Sequence, residues 1–374
     1  MSKQVTEPQV QVLDTYGVNI GLEEVLDVIM KVPANTKFVL FCPREHTPVS
    51  TGQVSGVMSK VSIDKKIVKA RKYVDKNNIK LDLVLGRLQY PEFISHIDYL
   101  ENVPVRWNDI FLRLFDQIHY LSDWWLKEST WIYIGTHHSK ATFPMPYGKL
   151  QHICAVRSGL AHPHRSLTMD MLAKYDLIND TCSWRQLTEV EYPYEFKYWD
   201  EKIMLPAETM LVDEDHPDQD SIYTSIHDGA MNSLIEIIPE SCVEYIFITE
   251  KTTKWLLYGK VFVIIGAPGI HSTLRKLGFE LFDELFDYEF DNIHDMDERV
   301  ENIVKQIAEL NKKYKTPASR KKLLQKLQPK IEKNLQNLMR IVGQDYPEEL
   351  RPALDSIEFY DNINYARSFL EELE

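Results

Sequence analysis

The chain has no two cysteines close together. Its four, Cys42, Cys154, Cys182 and Cys242, never form a C-x-x-C unit, which excludes a zinc ribbon or dithiol redox motif of that spacing. Reduced, mostly buried thiols of a cytosolic protein are the expectation. No apolar run reaches the length that spans a bilayer, and the opening MSKQVTEPQVQV lacks the apolar stretch of a secretory signal. Positive charge is scarce: 43 Lys and Arg stand against 56 Asp and Glu, a net charge of −13. That balance argues against nonspecific coating of nucleic acid, while leaving room for a local basic site. Neither G-x-G-x-x-G nor a Walker P-loop occurs, so no glycine signature announces a nucleotide site.

What is present is ordinary globular material, 44% hydrophobic and 26% charged over 374 residues, enough for one large or two ordinary domains. KFVLFC (37–42), LDLVLG (81–86), WIYIGT (131–136) and QHICAV (151–156) read as buried strands. Helical patterns run over 22–30, 105–126 and 166–178. Strands alternating with helices predict a layered α/β fold with parallel sheets. HSKATFPMPYGK, with two prolines and no period, marks the expected boundary between domains 1–145 and 146–342. Toward the end, Val300, Ile303, Val304, Ile307 and Leu310 form one apolar stripe, and Leu323, Leu327, Ile331, Leu335 and Leu338 another. A last helix is expected within 343–374. Between Asn311 and Arg340 there are ten Lys or Arg and one acid, Glu332. This is by default a solvated helical face, and alternatively an attraction for a polyanion.

The stretch ITEKTTKW (248–255) places an adjacent acid and base where the apolar run from Val243 to Ile248 gives way to a helix. Such seams hold anionic ligands in α/β proteins. Glu250 suits ribose hydroxyls, Lys251 suits a phosphate, and Thr249 or Thr252 can donate to phosphate oxygens. The plainer reading is an N-cap threonine with a first-turn acid. HPHR (162–165) also sits between strand and helix; Arg165 suits bidentate phosphate recognition, with His164 beside it as a donor. One H-x-H is poor evidence for a metal, and no metal is expected. In APGIHSTLRKLGF, Gly266 and Gly269 flank a tight strand-to-helix loop where backbone can approach a ligand, or serve simple turn chemistry. Glu45 and His46 follow the strand 37–42 and are candidate general bases. His137 and His138 also follow a strand, with a structural role at least as plausible.

FITEKTTKWLLYGKVFVIIGAPGIHSTLRKLGFELFDELFDYEFD resembles the carboxyl-terminal signature of fucosyltransferase-like glycosyltransferases, many of them viral or phage proteins. The matching elements are Thr249-Glu250-Lys251, the strand 261–266, the loop 267–269, the segment 274–279, Phe282, Asp287-Tyr288 and Asp291. HPHRSLTMDMLAKYDLINDTCSW is similar to the upstream part of the same proteins. The likeness spans about Gln151 to Asn292. It implies a GT-B-like architecture: two Rossmann-like domains facing across a cleft, nucleotide-sugar donor in the second, acceptor mainly in the first, and a helical C-terminal region. It implies Glu250 on the ribose, and Lys251 and Arg165 on the donor phosphates. The loop GAPGIHSTLRKLG departs from true fucosyltransferases in lacking acidic and aromatic sugar contacts, which leaves the donor sugar open.

The reaction implied is transfer of a hexosyl or pentosyl group to an acceptor hydroxyl, with no metal and no cofactor beyond the nucleotide-sugar co-substrate. Glu45 or His46 would deprotonate the acceptor, while Lys251, Arg165 and helix N-termini would stabilise the departing diphosphate. Expected partners are the donor and either a glycan or a hydroxymethylated base in phage DNA, in the cytoplasm (the host's, for a viral protein). The alternative is a non-catalytic GT-B-like protein that binds a nucleotide or glycan.

Overall fold

The computed structural model describes residues 10–14, 22–42, 60–85, 114–120, 126–127, 130, 144, 146–158, 162–184, 194–199, 228–244 and 246–344. The chain divides into two units. The first comprises Met1–Trp125 with Asp345–Asn364, and the second Leu126–Gln344 with Tyr365–Glu374. Among the described residues no helix is long and apolar enough to cross a membrane.

The first unit contains β1 (Val10–Asp14), α1 (Leu22–Ile29), β2 (Lys37–Cys42), α2 (Lys60–Lys76), β3 (Lys80–Leu85) and β4 (Gln117–Tyr120). Its four strands are parallel and lie in the order β1-β2-β3-β4. Val25, Leu26 and Ile29 of α1 and Ile67, Ala70 and Val74 of α2 are buried, at helical spacing in each case. Lys37 pairs with the fully buried Asp82 at 3.1 Å, stitching β2 to β3. The expected helix over 105–126 gives way to strand β4 in its second half. Asp116 fixes this outcome: its N–H donates to the Leu81 carbonyl (2.7 Å), and its carboxylate accepts the Leu81 N–H (2.8 Å). Sheet pairing of QIHY overrides the local helical period.

The second unit contains β5 (His152–Ser158), α3 (Pro163–Lys174), β6 (Cys182–Trp184), α4 (Asp228–Met231), β7 (Ser233–Pro239), α5 (Glu250–Leu257), β8 (Val261–Ile265) and α6 (Ile270–Lys276). A 3-10 turn (Tyr288–Asn292), α7 (Met296–Lys313) and α8 (Pro317–Gly343) follow. The strands are parallel in the order β6-β5-β7-β8. β7 and β8 are buried along their whole length, as strands are when helices cover both faces. α7 packs on α3 and β5, whereas α5 packs on β7, β8 and α8.

The chain runs from β5 through α3 to β6 on one side, then places β7 on the other side of β5. The order therefore reverses between β5 and β7, and a crevice opens at such a reversal, beyond the carboxyl ends of the strands. The strand leading to α5 is β7, not the apolar run 243–248. Phe247 and Ile248 are buried in the loop that follows β7, and a short apolar run does not reveal by itself whether it pairs.

The α7 stripe is buried as its spacing predicts. In α8 the stripe continues through Leu323, Leu327 and Ile331 but then passes to Asn334 and Leu338, leaving Leu335 half-buried. Asn334 takes the inner place because its amide bonds both backbone groups of Glu280, accepting the N–H at 2.7 Å and donating to the carbonyl at 2.8 Å. Arg320 is likewise no solvated charge. It is buried and donates to the carbonyls of Leu150 and Gln151 at the entrance to β5. Lys321, Lys322 and Lys326 are exposed, as a solvated face requires.

Gly259 joins α5 to β8 at φ +67°, and a Cβ there would lie 2.5 Å from the Pro144 Cβ and 3.0 Å from Ile331. Gly259→Ala is expected to lower the unfolding free energy by about 2–3 kcal/mol, combining left-handed strain with overpacking. An unchanged urea midpoint would refute that packing.

Candidate functional site

Glu240, the first residue after β7, organises the carboxyl edge of the second sheet. It is fully buried. Its N–H donates to the Ile265 carbonyl at the end of β8 (2.9 Å). Its carbonyl accepts from His164 Nε2 (2.7 Å) and from Arg165 (3.4 Å) at the start of α3. Its carboxylate accepts the Thr249 N–H (3.1 Å), the Thr249 and Thr252 hydroxyls (each 2.6 Å) and the Ser241 N–H (3.2 Å). One residue thus joins the segments that follow β5 and β7 to the end of β8. A buried carboxylate is tolerable here because donors surround both of its oxygens.

The start of α5 follows from this arrangement. Thr249 is the N-cap in extended conformation, and its hydroxyl oxygen accepts the Lys251 N–H (3.3 Å) while its proton goes to Glu240. Thr249 and Thr252 therefore act on the edge by holding Glu240. Glu250 and Lys251 face outward, with side chains 28% and 32% exposed, and pair at 2.9 Å. Lys251 also donates to Ser241 (2.9 Å). Burial would raise the Glu250 carboxyl, but Lys251 and the Thr249 side chain outweigh it and hold it below the usual carboxylate range.

His164 and Arg165 are both buried. A carbonyl can only accept, so His164 carries its proton on Nε2. Burial first, then the Arg165 charge, pushes its pKa down to about 3, so the ring is neutral at physiological pH. The His162 ring stacks on it at 5.8 Å and is lowered by the same two causes. Gly269 caps α6 in the left-handed region, φ +83°, with its N–H on the Asp291 carbonyl (2.8 Å). A Cβ at Gly266 would meet the tip of the Ile270 side chain at 2.8 Å, so a larger residue there would have to shift that side chain. Asp291 is a helix anchor: its carboxylate accepts the His271 and Ser272 N–H groups, the Ser272 hydroxyl and His271 Nδ1–H (2.9 Å). His271 Nε2 in turn accepts the Ile264 N–H of β8 (3.1 Å).

Of the residues expected to form a site, His164, Arg165, Thr249 and Thr252 meet on Glu240, and Glu250 and Lys251 stand beside them. Gly266 and Gly269 form the neighbouring loop. Glu45, His46, His137 and His138 lie outside the described residues. The sequence reading missed Glu240. The signal was an acid at the end of an apolar run, nine residues before a T-x-x-T. Among the described residues no group of three or more His, Cys, Asp or Glu is placed to hold a metal ion.

Glu240→Gln replaces an acceptor by a second donor among donors. It should cost about 1–3 kcal/mol for each bond left unmade, read as a lower denaturation midpoint. Because His164 is held far below its ordinary 6.5, the unfolded chain binds the proton first. Its contribution is complete above about pH 6.5 and is lost as pH falls toward about 3, at up to about 1.4 kcal/mol per unit. His164→Gln, which keeps a donor for the Glu240 carbonyl, should flatten stability against pH by one proton over that window; an unchanged slope would assign the proton elsewhere. No protein family, curated protein or solved structure matches this chain, so the geometry of the edge carries the functional reading.

Proposed function

We propose that the second unit binds a nucleotide-sugar and that the protein is a metal-independent glycosyltransferase of GT-B-like architecture. The observation that carries this reading is the position of Glu250 and Lys251. They stand at the N-terminus of α5, partly exposed, beside the reversal of strand order between β5 and β7. A carboxylate at this place suits the ribose diol, and a lysine next to a helix N-terminus suits a diphosphate. Arg165 acts from below, through the Glu240 carbonyl that it bonds.

In the reaction an acceptor oxygen attacks the anomeric carbon as the bond to the diphosphate oxygen breaks. The acceptor proton passes to a base, for which Glu45 or His46 is the assignment. Lys251, released from Glu250, neutralises charge on the leaving diphosphate. The acceptor is a glycan hydroxyl or the hydroxymethyl group of a modified DNA base.

The test is a thermal-shift screen with UDP-, GDP-, ADP-, CMP- and dTDP-linked sugars. A donor present at one hundred times its Kd should stabilise the fold by about 2.7 kcal/mol. Lys251→Ala should weaken binding by about tenfold or more, the loss of one charge-assisted contact. Slow release of free sugar without acceptor would identify an enzyme; binding without release would leave a nucleotide-binding protein. No shift with any donor would defeat the proposal.

A further inference from the structure

Positive charge is scarce in this chain, yet it gathers at one corner of the second unit. No acid stands between Glu309 and Glu332, whereas Lys312, Lys313, Lys315, Lys321, Lys322 and Lys326 all fall there. All six are exposed. None of them pairs with an acid among the described residues. Farther along α8 the pattern changes, for Lys330 pairs with Glu284 (2.9 Å) and Lys333 with Glu280.

The corner that carries these lysines is anchored. Arg320, buried in the first turn of α8, donates to the Leu150 and Gln151 carbonyls at the entrance to β5 and to Asn311 Oδ1 in the last turn of α7 (3.1 Å). Thr316 and Ser319 close the start of α8 with a capping box. Leu323, Leu324 and Leu327 are buried. At about 3.6 residues per turn, Lys321, Lys322 and Lys326 lie on the opposite side of the helix. The cations therefore stand on a fixed surface rather than on a loose tail.

Local structure accounts for two of them. Lys312 and Lys313 suit the negative end of the α7 dipole. Lys315 directly precedes the N-cap Thr316 of α8, whose first turn has no acid, and a helix N-terminus disfavours cations. Lys322 and Lys326 are like charges at i and i+4, which repel. An arrangement that works against the free protein and neutralises nothing within it is explained by negative charge supplied from outside.

The kind of polyanion follows from what accompanies the lysines. Among the described residues of α7 and α8 no large apolar side chain is exposed, so the corner lacks the apolar face by which a helix lies in a membrane surface. Tyr314 is half-buried and Lys313 Nζ lies 5.3 Å from the centre of its ring, so it offers no free face to stack an unpaired base. What remains is a row of point charges. From Lys315 to Lys326 it extends about 15 Å, the length of about four phosphates along one strand of a duplex. The net charge of −13 repels the same polyanion from the rest of the surface, which favours approach at this corner.

We propose that the corner between α7 and α8 docks the phosphate backbone of duplex nucleic acid without reading base sequence. The inference stands apart from the nucleotide-sugar reading.

The test titrates the full chain against a fluorescently labelled duplex of random sequence. Anisotropy should rise saturably in the micromolar range at about 50 mM salt. Six lysine contacts predict a slope of log affinity against log salt of about −5, so raising salt to about 200 mM should weaken binding about a thousandfold. Lys321→Gln, Lys322→Gln and Lys326→Gln together should bring the slope to about −2.5 and weaken binding at least tenfold, equally on two unrelated sequences. Lys330→Gln with Lys333→Gln removes lysines that are already paired, and should change affinity by less than about threefold. Should the triple variant fail to fold, Lys322→Gln alone should flatten the slope by about 1. The proposal is overturned by the absence of a saturable rise, by an unchanged slope in the triple variant, or by a loss confined to one sequence. It is equally overturned if phosphatidylserine-containing vesicles retain the chain through these lysines while the duplex does not. A failed donor screen with duplex binding intact would sink only the proposed function, and lost duplex binding would leave the donor site standing.

Discussion

A single buried carboxylate-bearing residue governs the carboxyl edge of the second sheet. Glu240 accepts through its side chain from the start of α5, accepts through its carbonyl from the start of α3, and donates through its nitrogen to the end of β8. These bonds reach two helices and a strand from one residue. Removing one partner strands a buried polar group, which costs more than the bond itself contributed. The neutrality of His164 comes from burial first and the Arg165 charge second, and it persists although the bond to the Glu240 carbonyl favours the protonated ring.

Much of the fold was legible because parallel strands and amphipathic helices leave strong periodic traces. KFVLFC, LDLVLG, QHICAV and VFVIIG became β2, β3, β5 and β8. The α7 stripe was correct at every position named. Errors arose where a tertiary bond decided. Asp116 turned part of an apparent helix into β4. Asn334 displaced Leu335 from the core because it pairs with the backbone of Glu280, far from it in sequence. The run 243–248 reads as a strand because it is apolar, but Phe247 and Ile248 are buried there without pairing. At the site, Thr249, Glu250 and Lys251 were legible from their place at a helix start. Glu240 was not, because its role depends on the chain folding back from Thr249 and Thr252, and from α3.

The two faces of this edge differ in charge. Around Glu240 the cations Arg165 and Lys251 meet the carboxylates of Glu240, Glu244 and Glu250. Under α5, Arg157, Lys254 and Lys260 act on Glu236, and Glu250 also acts on Lys254.

That reversal also has a kinetic meaning. β7 meets β8 after one short helix, but β5 meets β7 only when His152 finds Ser233 and Cys154 finds Ile235. Closing so long a loop is entropically slow compared with joining neighbours in sequence. The β7–α5–β8 segment can therefore form early, whereas the seam between β5 and β7 closes late. The seam at the reversal of strand order is therefore the last part of the sheet to form, and its burial marks a finished chain.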